Sequence, residues 1–340
     1  MRRTLENRLE ELCRKFGYAP YKMSRFEEYE LYVRNKDFLQ SDRVITFSGA
    51  DGRLLAMKPD VTLSIVKNAP ETPGAVRKVH YRENVYRQDR DGGNFREILQ
   101  AGIECVGDVG SYEIAEVVYL AAKSLAALGE GTILSLSHVG LIREALEQSG
   151  LPESARKQAL DCLARKREQE LRALCAENGA DDRQLLTLLG ARTIDELDAL
   201  ADCPALAELR QIVALLDGEQ VRLDFSLGND MKYYSGLVFQ GYVRGVPASV
   251  LSGGQYDRLL SHMGKKARAI GFAVYLDRLS AYSEGWDVDT LLLTGDAGPA
   301  QILAAAERLP GSVLAAKSEP ADRTWKRKAI LENGEVRYLD

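Results

Sequence analysis

The chain has 340 residues, of which 45 are basic and 50 acidic, giving a formal charge of −5, and 45% are hydrophobic. A chain of this length and apolar content folds into two or three compact units, and its charge balance excludes a global positive field of the kind that draws phosphate backbones. The five cysteines, Cys13, Cys105, Cys162, Cys175 and Cys203, are scattered and form no Cys-x-x-Cys pair, so a reducing cytoplasm, no structural metal and no cofactor are expected.

The opening Arg2-Arg3-Thr4 lacks the apolar core of a signal peptide, and no apolar run reaches membrane-spanning length, so neither export nor membrane insertion is expected. Leu5, Leu9, Leu12 and Phe16 recur at helical spacing and stop at Gly17, which predicts an amphipathic helix with a left-handed cap. Between Tyr18 and Gly107, short apolar segments alternate with turn signals at Ser48–Gly52 and Asp89–Gly93, the pattern of antiparallel strands. Ile114, Val117, Ala121, Leu125 and Leu128 predict a helix over Ser111–Leu128 that ends at Gly129.

A strand over Ile133–His138 hands over to a stretch at 140–218 rich in Leu, Ala, Glu, Arg and Lys, which reads as all-helical. Strand patterns return at Val221, Leu223 and Phe225, over Leu237–Val243, and over Ala248–Ser252 after a turn at Gly245–Pro247. The final part reads as strand (Thr290–Thr294), helix (Gln301–Leu309), strand (Ser312–Ala315) and a charged tail, and Gly295–Gly298 reads as a connecting turn. Four segments follow: residues 1–139, a helical insertion at 140–218, residues 219–284 and a small α/β segment at 285–340.

Four islands combine charged or aromatic residues with strand-like context, where a rigid sheet displays ligand groups. They are Lys58–Thr62, Arg82–Glu104, Asn229–Phe239, and Ser252–Asp257 together with Gly271–Leu279. Each also has an ordinary structural reading. Asp60 reads as a cap, Arg87 and Arg96 as solvent-facing, Tyr233 and Tyr234 as core wall, and Gly253 and Gly254 as a bend.

Together the islands resemble the class II aminoacyl-tRNA synthetases, specifically histidyl-tRNA synthetase, across about residues 1–280. Lys58-Pro59-Asp60-Val61-Thr62 stands where that family has Arg-Pro-Glu-x-Thr. Tyr86-Arg87 opens its second motif, Asn94-Phe95-Arg96-Glu97 follows the loop, and Gln100 and Glu104 lie on the returning strand. The resemblance implies an α+β fold: a six- or seven-stranded antiparallel sheet with flanking helices, a helical insertion and a small C-terminal α/β segment. It also implies a histidine site. Free histidine offers an ammonium, a carboxylate and an imidazole. Asp60, Thr62 and Gln100 suit the ammonium, Arg87 the carboxylate, Glu104 and Tyr233 the imidazole, with Tyr234 beside them. Gln100 and Glu104 are four positions apart, so in a strand they share a face.

Against the same family, residues that serve ATP are replaced. Aligning the family's Arg-Gly-Leu-Asp-Tyr-Tyr on Tyr233 and Tyr234 puts Asn229 at its catalytic arginine and Lys232 at its aspartate. Asn94 replaces an arginine of a loop one residue shorter than usual. Gly271-Phe272-Ala273 and Arg278 are retained, but Tyr275 replaces a glycine and Asp277 a glutamate. The family carries an anticodon-binding domain of about a hundred residues, whereas only about fifty-five follow Gly285, so that domain is not expected here.

This combination resembles the regulatory subunits of short-form ATP phosphoribosyltransferases, which are synthetase paralogues. The resemblance implies a non-catalytic subunit that binds L-histidine for feedback on histidine biosynthesis. Its partners would be a separate catalytic subunit and a homodimer core, with tRNA and membrane not expected. A truncated histidine-activating ligase and a tRNA-binding module are the alternatives.

Overall fold

A computed structural model describes residues 2–39, 44–88, 94–229, 233–280, 288–321 and 323–339, with backbone alone at 2–6, 228–229 and 280. The turn read at Asp89–Gly93 lies outside the described residues. The chain divides into two compact units, Thr4–Ala281 and, with the first three residues, Tyr282–Asp340.

In the larger unit, helix α1 (Arg2–Lys15) leads into β1 (Ala19–Pro20), β2 (Phe26–Glu28), α2 (Tyr29–Arg34), β3 (Thr46–Ser48), β4 (Leu54–Met57) and the short α3 (Thr62–Val66). Two long strands follow, β5 (Val76–Gln88) and β6 (Phe95–Gly107), then α4 (Ser111–Ala127) and β7 (Thr132–His138). Between Val139 and Leu215 the described secondary structure is entirely helical: α5 (Val139–Gln148), α6 (Glu153–Ala164), α7 (Glu168–Glu177), α8 (Arg183–Gly190), α9 (Pro204–Leu215) and a short turn of helix at Asp195–Leu197. The unit closes with β8 (Val221–Leu223), β9 (Leu237–Val243), β10 (Leu251–Gln255), α10 (Asp257–His262), β11 (Arg268–Tyr275) and α11 (Leu276–Ser280).

The main sheet runs β1-β5-β6-β11-β10-β9-β7-β8, and β2-β4-β3 form a separate three-stranded sheet. The six central strands pair antiparallel, as the sequence pattern predicts, but β1 and β8 pair in parallel at the two edges, giving eight strands and a mixed sheet. β1 spans two residues, too few to show a period of two, and β8 keeps three of the residues read as strand from Val221 onward. The strand expected over Ala248–Ser252 lies at Leu251–Gln255, so Gly253 and Gly254 are mid-strand residues and do not mark a bend. Phe225 sits in a short 3-10 turn, not in a strand.

The alternation of β6 builds both faces of the sheet. Ile103 and Cys105 pack into a core with Ile114, Val117, Ala121 and Leu125 of α4, a core that extends into the helices after β7. On the opposite face, Val106 packs with Val79, Tyr81, Val85, Leu63 and Tyr256. Gln100 and Glu104 point to that second face and are buried, at 4% and 2% exposure. A pair of polar groups is thus committed to the interior between the sheet and the α3 and α10 segments, and it needs partners there.

The smaller unit contains β12 (Val288–Leu293), α12 (Pro299–Arg308), β13 (Val313–Ala316), β14 (Trp325–Glu332) and β15 (Glu335–Leu339), with strand order β13-β12-β14-β15. The expected charged tail is therefore a hairpin. Asn333 and Gly334 have φ of 52° and 85°, the conformation that two-residue hairpin turns demand and that Asn-Gly adopts most readily. The charges of the tail are spread over both strands: on β14 Arg327 Nε donates to Thr290 Oγ1 at 2.9 Å and Lys328 pairs with Glu319, and on β15 Arg337 pairs with Glu332 at 3.5 Å.

Gly102 of β6 lies directly beneath the Tyr81 ring. A methyl group there would come within 2.6 Å of the Tyr81 hydroxyl and closer still to the Phe272 carbonyl oxygen. The Gly102→Ala variant is expected to lose about 1 to 3 kcal/mol through overpacking against backbone that cannot move aside, read as a lower denaturation midpoint in urea.

Candidate functional site

Seventeen residues surround one cavity of about 450 Å³, part of it open to solvent, on the face of the sheet that carries Gln100 and Glu104. All seven residues read from the sequence line this cavity: Asp60, Thr62, Arg87, Gln100, Glu104, Tyr233 and Tyr234. The floor comes from β5, β6, β10 and β11, and the Lys58–Thr62 segment between β4 and α3 forms a wall.

Each wall residue is held by a bond that its local sequence makes available. Asp60 accepts the backbone N–H of Leu63 at 2.9 Å, a cap-like bond at the start of α3, and it also lines the cavity. Arg87 Nε donates to the Pro59 carbonyl at 2.9 Å, which ties the same segment to β5. Thr62 Oγ1 donates to Glu104 Oε1 at 2.7 Å, and the Tyr256 hydroxyl donates to Glu104 Oε2. The Tyr233 and Tyr234 rings meet edge to face at 4.8 Å, and Tyr233 stands 6.0 Å from Tyr256. Gly271 makes this arrangement sterically possible, because a Cβ there would fall on the Glu104 carboxylate and 2.5 Å from the Ile103 carbonyl.

Burial dominates the electrostatics. Glu104 is pushed up to about 8 by loss of water, with the Asp60 charge adding to the rise and the Tyr256 and Thr62 hydrogen bonds opposing it. Asp60 is raised too, again chiefly by burial, while the Leu63 N–H and the Arg87 charge hold it down. The Tyr81, Tyr233 and Tyr256 phenols are pushed well above their usual range by burial, so they stay neutral. The lining contains two carboxyls and one guanidinium. That balance suits a small zwitterion carrying an additional basic ring.

Tyr275 of β11 also lines the cavity, pairs in register with Gln100 of β6 and is 5% exposed. The Arg278 guanidinium lies 4.2 Å over the Tyr275 ring, and Asp277 accepts the Leu99 N–H at 2.8 Å. The three residues at the third-motif positions thus all have contacts within the protein. Arg96 and Asn94 are exposed. The Asn229 side chain and Lys232 lie outside the described residues. Among those described, no cluster of His, Cys, Asp and Glu could hold a metal ion.

Sequence reasoning missed Tyr256, which is 2% exposed and bonded directly to Glu104. Its signal was present in the Ser252–Asp257 island, but a tyrosine following a strand reads as core wall until its partner is known. Tyr81 was missed in the same way; it projects toward the cavity from β5, whose alternation places Tyr81 and Arg87 on one face.

The family described as Histidyl-tRNA synthetase matches residues 1–279. An ATP phosphoribosyltransferase regulatory subunit from Moorella thermoacetica is 30% identical over 98% of this chain and 88% of that protein. A histidine–tRNA ligase from Methanosphaerula palustris is 28% identical over 82% of this chain and 70% of its own length. Among solved structures, an ATP phosphoribosyltransferase regulatory subunit/histidyl-tRNA synthetase from Bacillus halodurans superposes with a TM-score of 0.73 at 23% identity, covering 97% of this chain and 93% of that one. A chain of an ATP phosphoribosyl transferase complex from Thermotoga maritima gives 0.66 at 20% identity, covering 80% and 96%. At these identities the two structures show the shared fold. No helix among the described residues is long and apolar enough to cross a membrane.

The raised Glu104 has a pH consequence. Between the carboxyl's ordinary value of 4.5 and about 8, the empty folded chain keeps a proton that the unfolded chain releases, so this group's contribution to stability falls as pH rises through that window. Urea midpoints of the ligand-free chain are expected to drop between pH 5 and pH 8.5, and Glu104→Gln is expected to flatten the drop. An equally steep profile in Glu104→Gln would place the titrating group elsewhere.

Proposed function

The chain belongs to the histidyl-tRNA synthetase family, and from that premise we propose that it is a non-catalytic subunit that senses L-histidine for an ATP phosphoribosyltransferase, the entry step of histidine biosynthesis. The observation that carries the reading is the convergence of Asp60, Thr62, Arg87, Gln100, Glu104, Tyr233 and Tyr234 on one acidic, phenol-lined cavity. The Moorella thermoacetica relative named as a regulatory subunit supports the same role. Asp60, Thr62 and Gln100 take the ammonium of histidine, Arg87 takes its carboxylate, and Glu104 with Tyr233 takes the imidazole. Glu104 ionises as it receives the ring, so binding near neutral pH releases its proton.

Loss of catalysis follows from the nucleotide side. Tyr275 occupies wall space beside Gln100, and Asn229 supplies no positive charge where the family places an arginine. Loss of one preorganised charge-stabilising group typically lowers a rate by about 10² to 10³. The partner is a catalytic phosphoribosyltransferase subunit in a hetero-oligomer, built on a homodimer core through α1 and the strand after it, in the cytoplasm. In this arrangement 1–139 and 219–284 carry the pocket, 140–218 is an inserted helical module and 285–340 an appended α/β segment. Histidine feeds back by favouring a less active assembly, for which a differential affinity of about 1 to 3 kcal/mol between two states suffices.

The Methanosphaerula palustris relative keeps a histidine-activating ligase as the rival reading. Histidine-dependent exchange of pyrophosphate with ATP separates the two. No exchange is expected, and Asn229→Arg alone is expected to restore none, because Tyr275 still fills the nucleotide side; exchange by the native chain would establish the ligase.

Calorimetry is expected to show L-histidine binding without ATP or metal, with a measured heat that changes with the ionisation enthalpy of the buffer. Glu104→Ala should cost about 1.5 to 3 kcal/mol of that affinity, the scale of a hydrogen bond to a charged group. A folded Glu104→Ala variant with native affinity would dismiss the assignment of the ring to this carboxyl.

A further inference from the structure

Lys58 is 1% exposed, an unusual burial for a lysine, and it forms an ion pair with Glu83 of β5, whose side chain is 15% exposed. A buried ammonium remains charged only when an anion is close, and the pair is weak as a source of stability because each charge has left water. Its placement is more informative than its energy. Lys58 is the first residue of the segment that carries Asp60 and Thr62 to the cavity. Glu83 shares a strand face with Tyr81 and Arg87, both of which line that cavity.

Glu83 also reaches a third segment, since its Oε1 accepts the Met23 N–H at 3.3 Å. Backbone bonds flank the pair. Lys58 N–H donates to the Arg25 carbonyl at 3.2 Å, and Tyr86 N–H donates to the Lys58 carbonyl at 2.9 Å. With the Arg87 bond to the Pro59 carbonyl, the 58–60 backbone is stitched to β5 by one ion pair and two hydrogen bonds on successive residues.

We propose that Lys58, acting through Glu83, is a positioning residue: it sets where Asp60 and Thr62 stand relative to Gln100 and Glu104, and so sets the affinity and selectivity of the cavity for an α-ammonium ligand without touching that ligand. The proposal rests on the histidine-binding reading for its ligand and on the ion pair for its geometry. Thr62 is the link by which a shift at Lys58 reaches the ring end of the site, because its hydroxyl donates to Glu104 at 2.7 Å. Asp60 is the link at the ammonium end, because its carboxylate is aimed by the Leu63 N–H at 2.9 Å. A segment displaced by about 1 Å moves both acceptors at once, and misplacement on that scale is enough to forfeit preorganised recognition.

Removing one member of the pair would leave a buried charge without a partner and can unfold the chain. The test therefore substitutes both, Lys58→Met with Glu83→Gln, which keeps an acceptor for Met23 and removes both charges. The paired variant is expected to melt close to the native chain while its Kd for L-histidine weakens at least tenfold; Lys58→Arg, which restores a cation to the pair, is expected to stay within threefold of native.

Amide hydrogen exchange of the ligand-free protein supplies a second readout that needs no histidine. The Leu63 amide should exchange at least tenfold faster in the paired variant, with the amides of β6 and β11 unchanged. If the native chain does not bind histidine but exchange at Leu63 rises as expected, the positioning role stands and the histidine reading fails. A folded paired variant with native exchange at Leu63, or with native histidine affinity where the native chain binds, overturns the proposal.

Discussion

The site depends on one constraint: a carboxyl group, Glu104, is carried into the interior on a central strand and must be satisfied there. A carboxylate without water is costly, and proteins meet that cost with donors, with a proton, or with both. Here Thr62 and Tyr256 each donate to one oxygen, and burial still raises the group to about 8. The donors come from segments far apart in sequence, the start of α3 and the junction of β10 with α10. The backbone across the strand must also lack a side chain, as it does at Gly271. Three separate stretches of chain are thereby committed to the geometry of one side chain.

The same constraint divides the cavity into two regions of different chemistry. Around Glu104 and Asp60 the walls are acidic and phenolic, and their hydrogen bonds lock the residues to one another. Around Tyr275 the wall is an aromatic ring under a guanidinium, with Asp277 spent on the Leu99 backbone. A nucleotide needs cations free to meet phosphate and a slot for a base. The contacts made by Tyr275, Asp277 and Arg278 are instead those of a structural corner between β11 and β6. The two regions thus differ in what they present to a ligand, polar groups around Glu104 and Asp60 and an aromatic wall at Tyr275.

Long-period features were legible in the sequence, and short or partner-dependent ones were not. The α4 pattern through Ile114, Val117, Ala121 and Leu125 repeats over enough turns to be read without neighbours, and those four side chains are buried. The four-residue spacing of Gln100 and Glu104 placed both on one face of a strand, and both line one cavity. The edge strand at Ala19–Pro20 is defined only by the strand it joins, so no local pattern marks it, whereas Val221 and Leu223 alternate and β8 was legible apart from its parallel pairing. Asn333-Gly334 did carry a local signal for the terminal hairpin, but the surrounding charges outweighed it when the tail was read by composition alone. Tyr256 illustrates the remaining gap, since nothing at position 256 reveals that its partner is 152 residues away.

The placement of the carboxyl also bears on how occupancy could be felt beyond the cavity. In the empty site Glu104 favours its protonated form at neutral pH, and a ligand whose ring N–H needs an acceptor there favours the ionised form, the proton leaving to solvent. The Thr62 and Tyr256 hydrogen bonds then become charge-assisted, shorter and roughly twice as strong as neutral ones. Both donors sit at the beginnings of short helices, α3 and α10, so one ionisation tightens two segments that also share a hydrophobic cluster. A ligand can shift an equilibrium only by its difference in affinity between two states. A change of charge on one buried group bonded by donors from two segments produces such a difference only where a second state holds those donors differently.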